Sequence, residues 1–329
     1  MRNYKTFKKA IPILGVIVLI LVIICFGLTK LENIVLSNPN DGAMDHASSK
    51  TVVVDGVRYF PRQDITVLMV LGIDQYGEVE SSEFFRNKGA CDLVALLVFD
   101  EKNEVCNILQ LNRDTMLEMN VLGIDGSYAG TAYAQLALAH TYGSGLDDSC
   151  ENTKETLTDF LKGVCIDHYV SLNMEAVPII NDAVGGVEVY VTEDFSEVNP
   201  TIHKGEMLLK GEQALHYVRT RREVGDSMNL SRMERHREYI RGFLQSYEAA
   251  SETHDGFTMD LLEQLLPYMV TDSSLNTLSS MLDRYEEYEL GEIVSPEGRN
   301  ELEGNYMCFY VDEASLDELI LRLFYAPKE

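Results

Sequence analysis

Two aspartates lie at the ends of apolar runs that have the length of β-strands. Asp74 follows the apolar run 65–73, and Asp92 comes directly before the apolar run 93–99. Both carboxylates are therefore expected at strand ends, where ligands bind in open α/β sheets. Hard oxygen ligands without a neighbouring histidine suggest Mg²⁺. A single aspartate at a strand end is also a common turn former, so from these residues alone both interpretations stay open.

Arginines cluster in two short stretches of a chain that is otherwise poor in positive charge. The two stretches contain Arg219, Arg221 and Arg222, and then Arg232, Arg235 and Arg237. Arg113, which follows the apolar run 105–111, adds a guanidinium group to the sheet edge that carries the aspartates. Most charge runs are solvated faces, so the second stretch needs a test of its own.

Helical phase supplies that test. With Leu230 at zero and about 100° per residue, one arc of the helix collects the apolar side chains of Met233, Ile240, Phe243, Leu244 and Tyr247. His236 falls inside this arc and Arg232 borders it. Buried polar groups need partners. A structural salt bridge and an anion-binding site would both provide them, and both remain possible.

The familiar catalytic motifs give no further direction. The sequence contains no G-x-x-x-x-G-K, H-E-x-x-H, G-x-S-x-G or G-x-G-x-x-G pattern. Its seven histidines are spread singly along the chain, which gives little support to a histidine-based metal site.

The elements that must position these residues alternate between strands and helices. Strands are predicted at 65–73, 93–99, 105–111, 168–173, 187–191 and 306–311, with two shorter strands turning at Asp55-Gly56. Helices are predicted at 131–142, 151–162, after Met174, over most of 211–285, and at 313–324. This order predicts an α/β fold with a central mixed β-sheet flanked by helices.

The N-terminal segment Ala10–Leu28 contains no charged side chain and is long enough to cross a bilayer. Four basic residues precede it, so we expect a cytoplasmic tail at 1–9, a transmembrane helix at 10–28 and an extracytoplasmic remainder. A cleaved signal peptide is the alternative, but its apolar region would be shorter and an A-x-A site would follow. The polar stretch 29–50 is predicted to be a linker, and 51–329 a single domain.

The chain is strongly acidic, with a net charge of -26. Five of the 27 Lys and Arg and none of the 53 Asp and Glu lie in residues 1–30, so the remainder carries -31. A nucleic-acid partner is excluded because the phosphate backbone would be repelled and no basic stripe compensates. The odd number and scattered spacing of the five cysteines beyond residue 30 do not predict a disulfide framework.

Eight sequence blocks between residues 71 and 239 resemble the LytR-CpsA-Psr proteins, which are membrane-anchored enzymes of bacterial envelopes. They occur in the family's order and read LGID (71–74), CDLVALLVFD (91–100), NRDT (112–115), LALAHTYG (136–143), IDHYVSLN (166–173), DAVGGVEVYV (182–191), GEQALHYVRTR (211–221) and SRMERHREY (231–239). Each block is weak alone, but their common register behind one anchor identifies the family.

The resemblance implies a phosphotransferase that moves a glycopolymer from a polyprenyl pyrophosphate carrier to peptidoglycan. It implies Mg²⁺ at Asp74 and Asp92, and an apolar channel for the lipid between sheet and helices. The matching positions for the pyrophosphate are Arg113, Arg219, Arg221, Arg232 and His236. This agrees with the chemistry of the residues, since guanidinium groups suit phosphate and a metal ion neutralises charge on the transferred group.

Two departures from the family pattern keep a second hypothesis open. Ala90 stands where the family usually has an arginine, which Arg86 or Lys88 would have to replace. His236 stands where a glutamine is usual, and it is expected to add a charge that titrates near physiological pH. The alternatives to a transferase are therefore a non-catalytic polyprenyl phosphate-binding or regulatory protein, a hydrolase of the lipid pyrophosphate, and a surface adhesin on a borrowed fold.

Overall fold

The computed structural model describes residues 51–54, 56–83, 86–220, 224, 229–254, 256–273, 284–285, 288–304 and 306–327. The predicted transmembrane segment 10–28 and linker 29–50 lie outside these residues. Within the described part, no helix is long and apolar enough to cross a membrane.

The strands of the described chain are β1 (Val52–Val54), β2 (Val57–Pro61), β3 (Ile65–Ile73), β4 (Cys91–Asp100), β5 (Val105–Leu111), β6 (Met116–Leu122), β7 (Tyr128–Gln135), β8 (His168–Asn173), β9 (Val187–Val191), β10 (Gly205–Leu209), β11 (Met269–Thr271), β12 (Glu289–Val294), β13 (Gly298–Glu303), β14 (Tyr306–Val311) and β15 (Tyr325–Pro327). The α-helices are α1 (Asp147–Phe160), α2 (Ala176–Ala183), α3 (Glu212–Arg219), α4 (Asn229–Ser251), α5 (Phe257–Leu265) and α6 (Glu313–Phe324). Two 3₁₀ helices are Leu136–Thr141 and Leu266–Tyr268.

A six-stranded mixed sheet in the order β11-β8-β3-β4-β5-β12 lies at the centre. Strand β3 pairs antiparallel with β4 and parallel with β8. Strand β5 pairs antiparallel with β4 and parallel with β12. Strands β6 and β7, β9 and β10, and β13 and β14 form separate hairpins. The mixed α/β architecture with a central mixed sheet is confirmed.

Helices cover both faces of this sheet, which explains why β3 is apolar along its whole length. Alternate residues of a strand point to opposite faces. Leu68 and Val70 pack in the cluster that includes residues of α2, α4 and α5. Val67 and Met69 pack in the cluster that includes residues of α1, α6 and the first 3₁₀ helix. A strand buried on both faces therefore reads as a continuous apolar run.

The strands predicted at 65–73, 105–111, 168–173, 187–191 and 306–311 are confirmed, as is the helix at 313–324. The helix predicted at 131–142 is wrong for its first half. Residues 128–135 form strand β7, which pairs with β6, and only Leu136–Thr141 is helical. The half-buried Ala132 and Ala134 alternate with the exposed Tyr133, which is the period of a strand.

The prediction of mainly helical structure over most of 211–285 is confirmed for the described residues by α3, α4, α5 and the second 3₁₀ helix, with one exception. Met269–Thr271 is a strand that extends the central sheet through its pairing with β8. The sequence does not predict strands β6, β10, β12, β13 and β15. The five described cysteines are free thiols, and four of them are buried.

Candidate functional site

Asp74 and Asp92 lie at one edge of the central sheet, as the sequence predicts. Asp74 follows the last residue of β3, and its backbone N–H donates to the Ala90 carbonyl oxygen at 2.8 Å. Asp92 is the second residue of the antiparallel neighbour β4. The register shifts here, since Gly72 pairs with Leu93 and Ile73 with Cys91. Asp92 is thus left without a partner residue on β3, at an irregularity of the kind often found next to active sites.

Two arginines from distant parts of the chain converge on Asp92. Arg113 Nη1 donates to Asp92 Oδ1 at 2.6 Å, and Arg232 Nη1 donates to Asp92 Oδ2 at 2.8 Å. Arg232 Nη2 also donates to the Asp92 backbone carbonyl at 3.1 Å. Only 2% of the Arg232 side chain is exposed. The salt bridge predicted for the buried arginine is confirmed, and the anion site remains a prediction.

Asp74 has its own arginine. Arg219, the last residue of α3, donates from Nε and Nη2 to Asp74 Oδ1 at 3.2 and 2.9 Å. Its guanidinium carbon lies 5.4 Å from the centre of the Tyr76 ring. The Arg219 side chain is 38% exposed. It is thus the most accessible of the three arginines that contact these aspartates.

Arg113 has a donor that the described chain leaves unused. Its Nε is buried and makes no hydrogen bond to any described residue, while Asp114 Oδ1 lies 3.8 Å away. A buried donor without an acceptor costs about 1 to 3 kcal/mol. A phosphate oxygen is an acceptor that would satisfy it.

His236 is held as a neutral imidazole. Its Nε2 lies 2.8 Å from the Val218 carbonyl oxygen, which can only accept, so Nε2 carries the proton. Its Nδ1 therefore accepts from Gln110 Nε2 at 3.3 Å. Burial, with a further contribution from the nearby Arg232 charge, lowers the pKa of His236 to about 3. The expected titration near physiological pH is therefore wrong, because neither nitrogen is offered to a solvent proton.

An apolar cavity of about 160 Å³ opens beside these side chains. Its walls come from the sheet and from helices α2, α3 and α4, and they include Val70, Ala95, Leu97, Ile108, Ile180, Val218, Tyr239 and Ile240. Its polar lining consists of Asp92, Gln110, Asn173, Arg219 and His236. Its volume is comparable with an engineered cavity of about 150 Å³ that binds benzene. The position between sheet and helices is that of the predicted lipid channel.

The structure thus brings together Asp74, Asp92, Arg113, Arg219, Arg232 and His236. Arg221 lies outside the described residues. Arg86 stacks on the Tyr142 ring, 3.8 Å from its centre, and Lys88 is exposed. Gln110 and Tyr76 join the site without having been predicted. Gln110 carried a usable signal, since it is a polar residue inside a buried strand.

The two aspartates suit a magnesium ion that takes its other ligands from water and from a substrate phosphate. In the part of the chain that the structure describes, no group of three or more His, Cys, Asp or Glu residues is arranged to hold a metal. Mg²⁺ commonly uses one or two carboxylates and takes its other ligands from water and substrate phosphates. Both described bonds to Asp74 use Oδ1. Such a donor set suits an ion that arrives with a phosphate.

Comparisons with known proteins identify relatives of the whole domain. The polyisoprenyl-teichoic acid–peptidoglycan teichoic acid transferase TagU of Halalkalibacterium halodurans is 27% identical over 287 residues, which are 84% of each chain. The crystal structure of TagV from B. subtilis shares the fold with a TM-score of 0.60 at 22% identity, covering 80% of this chain and 96% of that one. The crystal structure of B. subtilis TagT gives 0.58 at 21% identity, covering 79% and 90%.

The structure is therefore an α/β domain in which three arginines contact two aspartates beside an apolar cavity. The profile of the LytR_cpsA_psr family matches residues 36–324. The chain belongs to this family, as the sequence blocks indicated.

Proposed function

We propose that this protein is a phosphotransferase that moves a glycopolymer from a polyprenyl pyrophosphate carrier to peptidoglycan. The observation that carries the proposal is the convergence of Arg113, Arg219 and Arg232 on two aspartates beside an apolar cavity. The pyrophosphate and the lipid of such a donor need these two environments side by side. The transferase name of the TagU relative supports the same reaction.

The arginines would bind the pyrophosphate oxygens. Without substrate their charges are balanced by Asp74 and Asp92, and guanidinium groups can exchange a carboxylate for a phosphate oxygen of similar geometry. Arg219 is the most exposed of the three and lines the cavity, so we place it nearest the entering donor. Arg113 and Arg232 are held at fixed positions by Asp92, which keeps the site preorganised for charge on the transferred group.

In the chemical step, an acceptor hydroxyl oxygen forms a bond to the phosphorus nearest the sugar. The bond from that phosphorus to the bridging oxygen breaks, and polyprenyl phosphate leaves with the electron pair. The hydroxyl proton passes to a carboxylate. Asp74 and Asp92 are the two carboxylates at this position.

We further propose that Asp74 and Asp92 hold Mg²⁺ together with the pyrophosphate. When bound, such an ion neutralises charge on phosphate oxygens. It would also offset the net charge of the acidic domain at close range, since salt screens distant charges beyond about 8 Å.

We also propose that the protein is a single-pass membrane protein, with segment 10–28 as its anchor and the domain on the extracytoplasmic side. The uncharged apolar segment and the basic residues before it support this location. It would hold the site next to the membrane that contains the lipid carrier.

The test is transfer by the purified full-length protein in detergent. It is given a lipid pyrophosphate-linked glycan, peptidoglycan and Mg²⁺, and the product is the glycan attached to peptidoglycan. Asp92→Ala and Arg113→Ala are expected to abolish transfer. Water as the only acceptor, with release of free glycan phosphate, would instead show a hydrolase.

Ala90 favours a second candidate, a protein that binds polyprenyl phosphates without turning them over. The usual arginine is replaced there, and Arg86 stacks on Tyr142. This function is supported if the protein binds a prenyl pyrophosphate but transfers no native glycan. Ala90→Arg would then be expected to restore transfer.

A further inference from the structure

The C-terminal end of helix α3 needs hydrogen-bond donors and positive charge from outside the helix. The last carbonyl groups of an α-helix have no partner within the helix. They also give this end a partial negative charge, which disfavours a bound anion. Arg219 is nevertheless the last residue of α3, and the proposed function brings a pyrophosphate to it.

Side chains from one helix, α4, bond all four of these carbonyl groups. His236 Nε2 donates to Val218 at 2.8 Å, and Arg232 Nη1 lies 3.4 Å from the Arg219 carbonyl oxygen. Arg235 bonds the remaining two. Its Nε donates to the Tyr217 carbonyl at 2.9 Å, and its Nη2 donates to the Thr220 carbonyl.

Unlike Arg232, Arg235 bonds neither aspartate of the site. It is 4% exposed, and its Nη1 forms an ion pair with Glu193. Its guanidinium carbon lies 5.5 Å from the centre of the Phe195 ring. The guanidinium group is therefore fixed from one side by Glu193 and Phe195, and it reaches α3 from the other.

We propose that Arg235 is a positioning residue for the pyrophosphate. Through the carbonyls of Tyr217 and Thr220 it fixes the end of α3, and with it the guanidinium group of Arg219, at the cavity mouth. Its positive charge also offsets the negative helix end that would repel the ligand. Thr220, whose carbonyl Arg235 bonds, ends α3 in an extended conformation.

Arg235 and Glu193 allow the positioning role to be separated from a merely structural one. Arg235→Met removes the donors and leaves the partly buried Glu193 carboxylate without its arginine, which destabilises the fold. Adding Glu193→Gln removes that charge, so the double variant is expected to regain most of the lost thermal stability. Arg235→Lys keeps a cation but cannot bond two carbonyl groups with a planar fork. Arg241→Met, an exposed position on the same helix, is the matched control.

This inference rests on the proposed function, and the experiment follows the full-length protein in detergent with Mg²⁺. Calorimetry with farnesyl pyrophosphate gives Kd, glycan transfer gives kcat and donor KM, and thermal unfolding gives Tm. For Arg235→Met/Glu193→Gln we expect Kd to rise about tenfold or more and kcat to fall roughly 100-fold, with Tm largely recovered. Arg235→Lys should give a smaller change in the same direction, and Arg241→Met none.

A double variant that recovers Kd and kcat together with Tm would overturn the positioning role and leave the proposed function intact. If the double variant does not unfold cooperatively, the lysine variant decides, and wild-type Kd and kcat for it would overturn the role. Wild-type protein that neither binds the probe nor transfers glycan would overturn the proposed function and this inference with it.

Discussion

Strand β4 carries an aspartate paired with arginine near each of its ends. At the far end, Asp100 accepts from Arg62 Nη1 at 2.8 Å and from Asn103 Nδ2 at 2.7 Å. The other two nitrogens of Arg62 donate to Asp64, so every nitrogen of this guanidinium group bonds a carboxylate. At the near end, both oxygens of Asp92 are also held by arginines.

The Asp92 and Asp100 ends of β4 differ in whether an unused hydrogen-bond donor and an adjacent cavity remain. Arg113 Nε has no hydrogen-bond partner among the described residues, and Asp92, which Arg113 contacts, lines an apolar cavity. At the Asp100 end, every nitrogen of Arg62 is used in a bond to a carboxylate. At the Asp92 end, Arg113 Nε is left as a hydrogen-bond donor, and the cavity provides space for a ligand. A buried Asp–Arg pair therefore indicates function only when its surroundings can still bind something.

Replacing one arginine at each end of β4 by methionine is expected to give the largest difference, which is in the rate of glycan transfer. Arg113→Met is expected to lower the rate of glycan transfer about 1000-fold, as for arginines that stabilise phosphoryl transfer. Arg62→Met should leave the rate per folded molecule unchanged. Transfer rates normalised to folded protein measure both. Equal losses in the two variants would remove the distinction between the ends.

The same variants should separate in the opposite sense when stability is measured. Arg62→Met leaves the Asp100 charge buried without its guanidinium partner and is expected to lower the free energy of unfolding by about 3 kcal/mol. Arg113→Met should cost less, since Arg232 still holds Asp92. Urea denaturation of the full-length protein provides the values. A larger loss for Arg113→Met would show that the Asp92 end is the structural one.

The pH dependence of stability in acid should report on the Asp100 end alone. Burial raises the pKa of Asp100, but the hydrogen bonds from Arg62 and Asn103 outweigh it and bring the pKa down to about 2. Because this value lies below the ordinary value of about 3.9, the pair stabilises the fold above pH 4. That stabilisation, about 2 kcal/mol, is lost as the pH falls from 4 towards 2. Asp100→Asn should lack this component in unfolding curves recorded across that range.

Filling the cavity beside Asp92 tests whether it is the space that binds the lipid. Ala95 lines the cavity, and Val98 lies on the opposite, closely packed face of the same strand. Ala95→Val is expected to weaken farnesyl pyrophosphate binding about tenfold. Val98→Ile should leave binding unchanged and lower stability by about 1 kcal/mol through overpacking. Calorimetry and urea denaturation measure the two effects, and unchanged binding by Ala95→Val would exclude the cavity as the lipid site.

His236 should give the smallest effect. Since its pKa is lowered to about 3, it stays neutral between pH 5 and 8. The pH–rate profile of His236→Gln is therefore expected to have the same shape as that of the wild type over this range. An inflection near pH 6.5 that disappears in the variant would contradict the neutral assignment.

Much of this architecture could be predicted because it depends on short stretches of sequence. The run 65–73 is apolar throughout since both faces of β3 are buried, so its length alone gave the strand. Helical phase placed His236 and Arg232 on or beside the buried face of α4, and the structure has them there. Arg235 lies at about 140° in the same scheme, outside the apolar arc, and its burial could not be predicted this way.

The sequence by itself determined the main strands, the family blocks and the residue types of the site, because burial periodicity and motif spacing are local properties. Only the tertiary structure decided that Tyr128–Gln135 is a strand, that Met269–Thr271 extends the sheet, and that α4 supplies the missing bonds of α3. It also decided the neutral state of His236. Each of these depends on partners that are distant along the chain and become neighbours only when the chain folds.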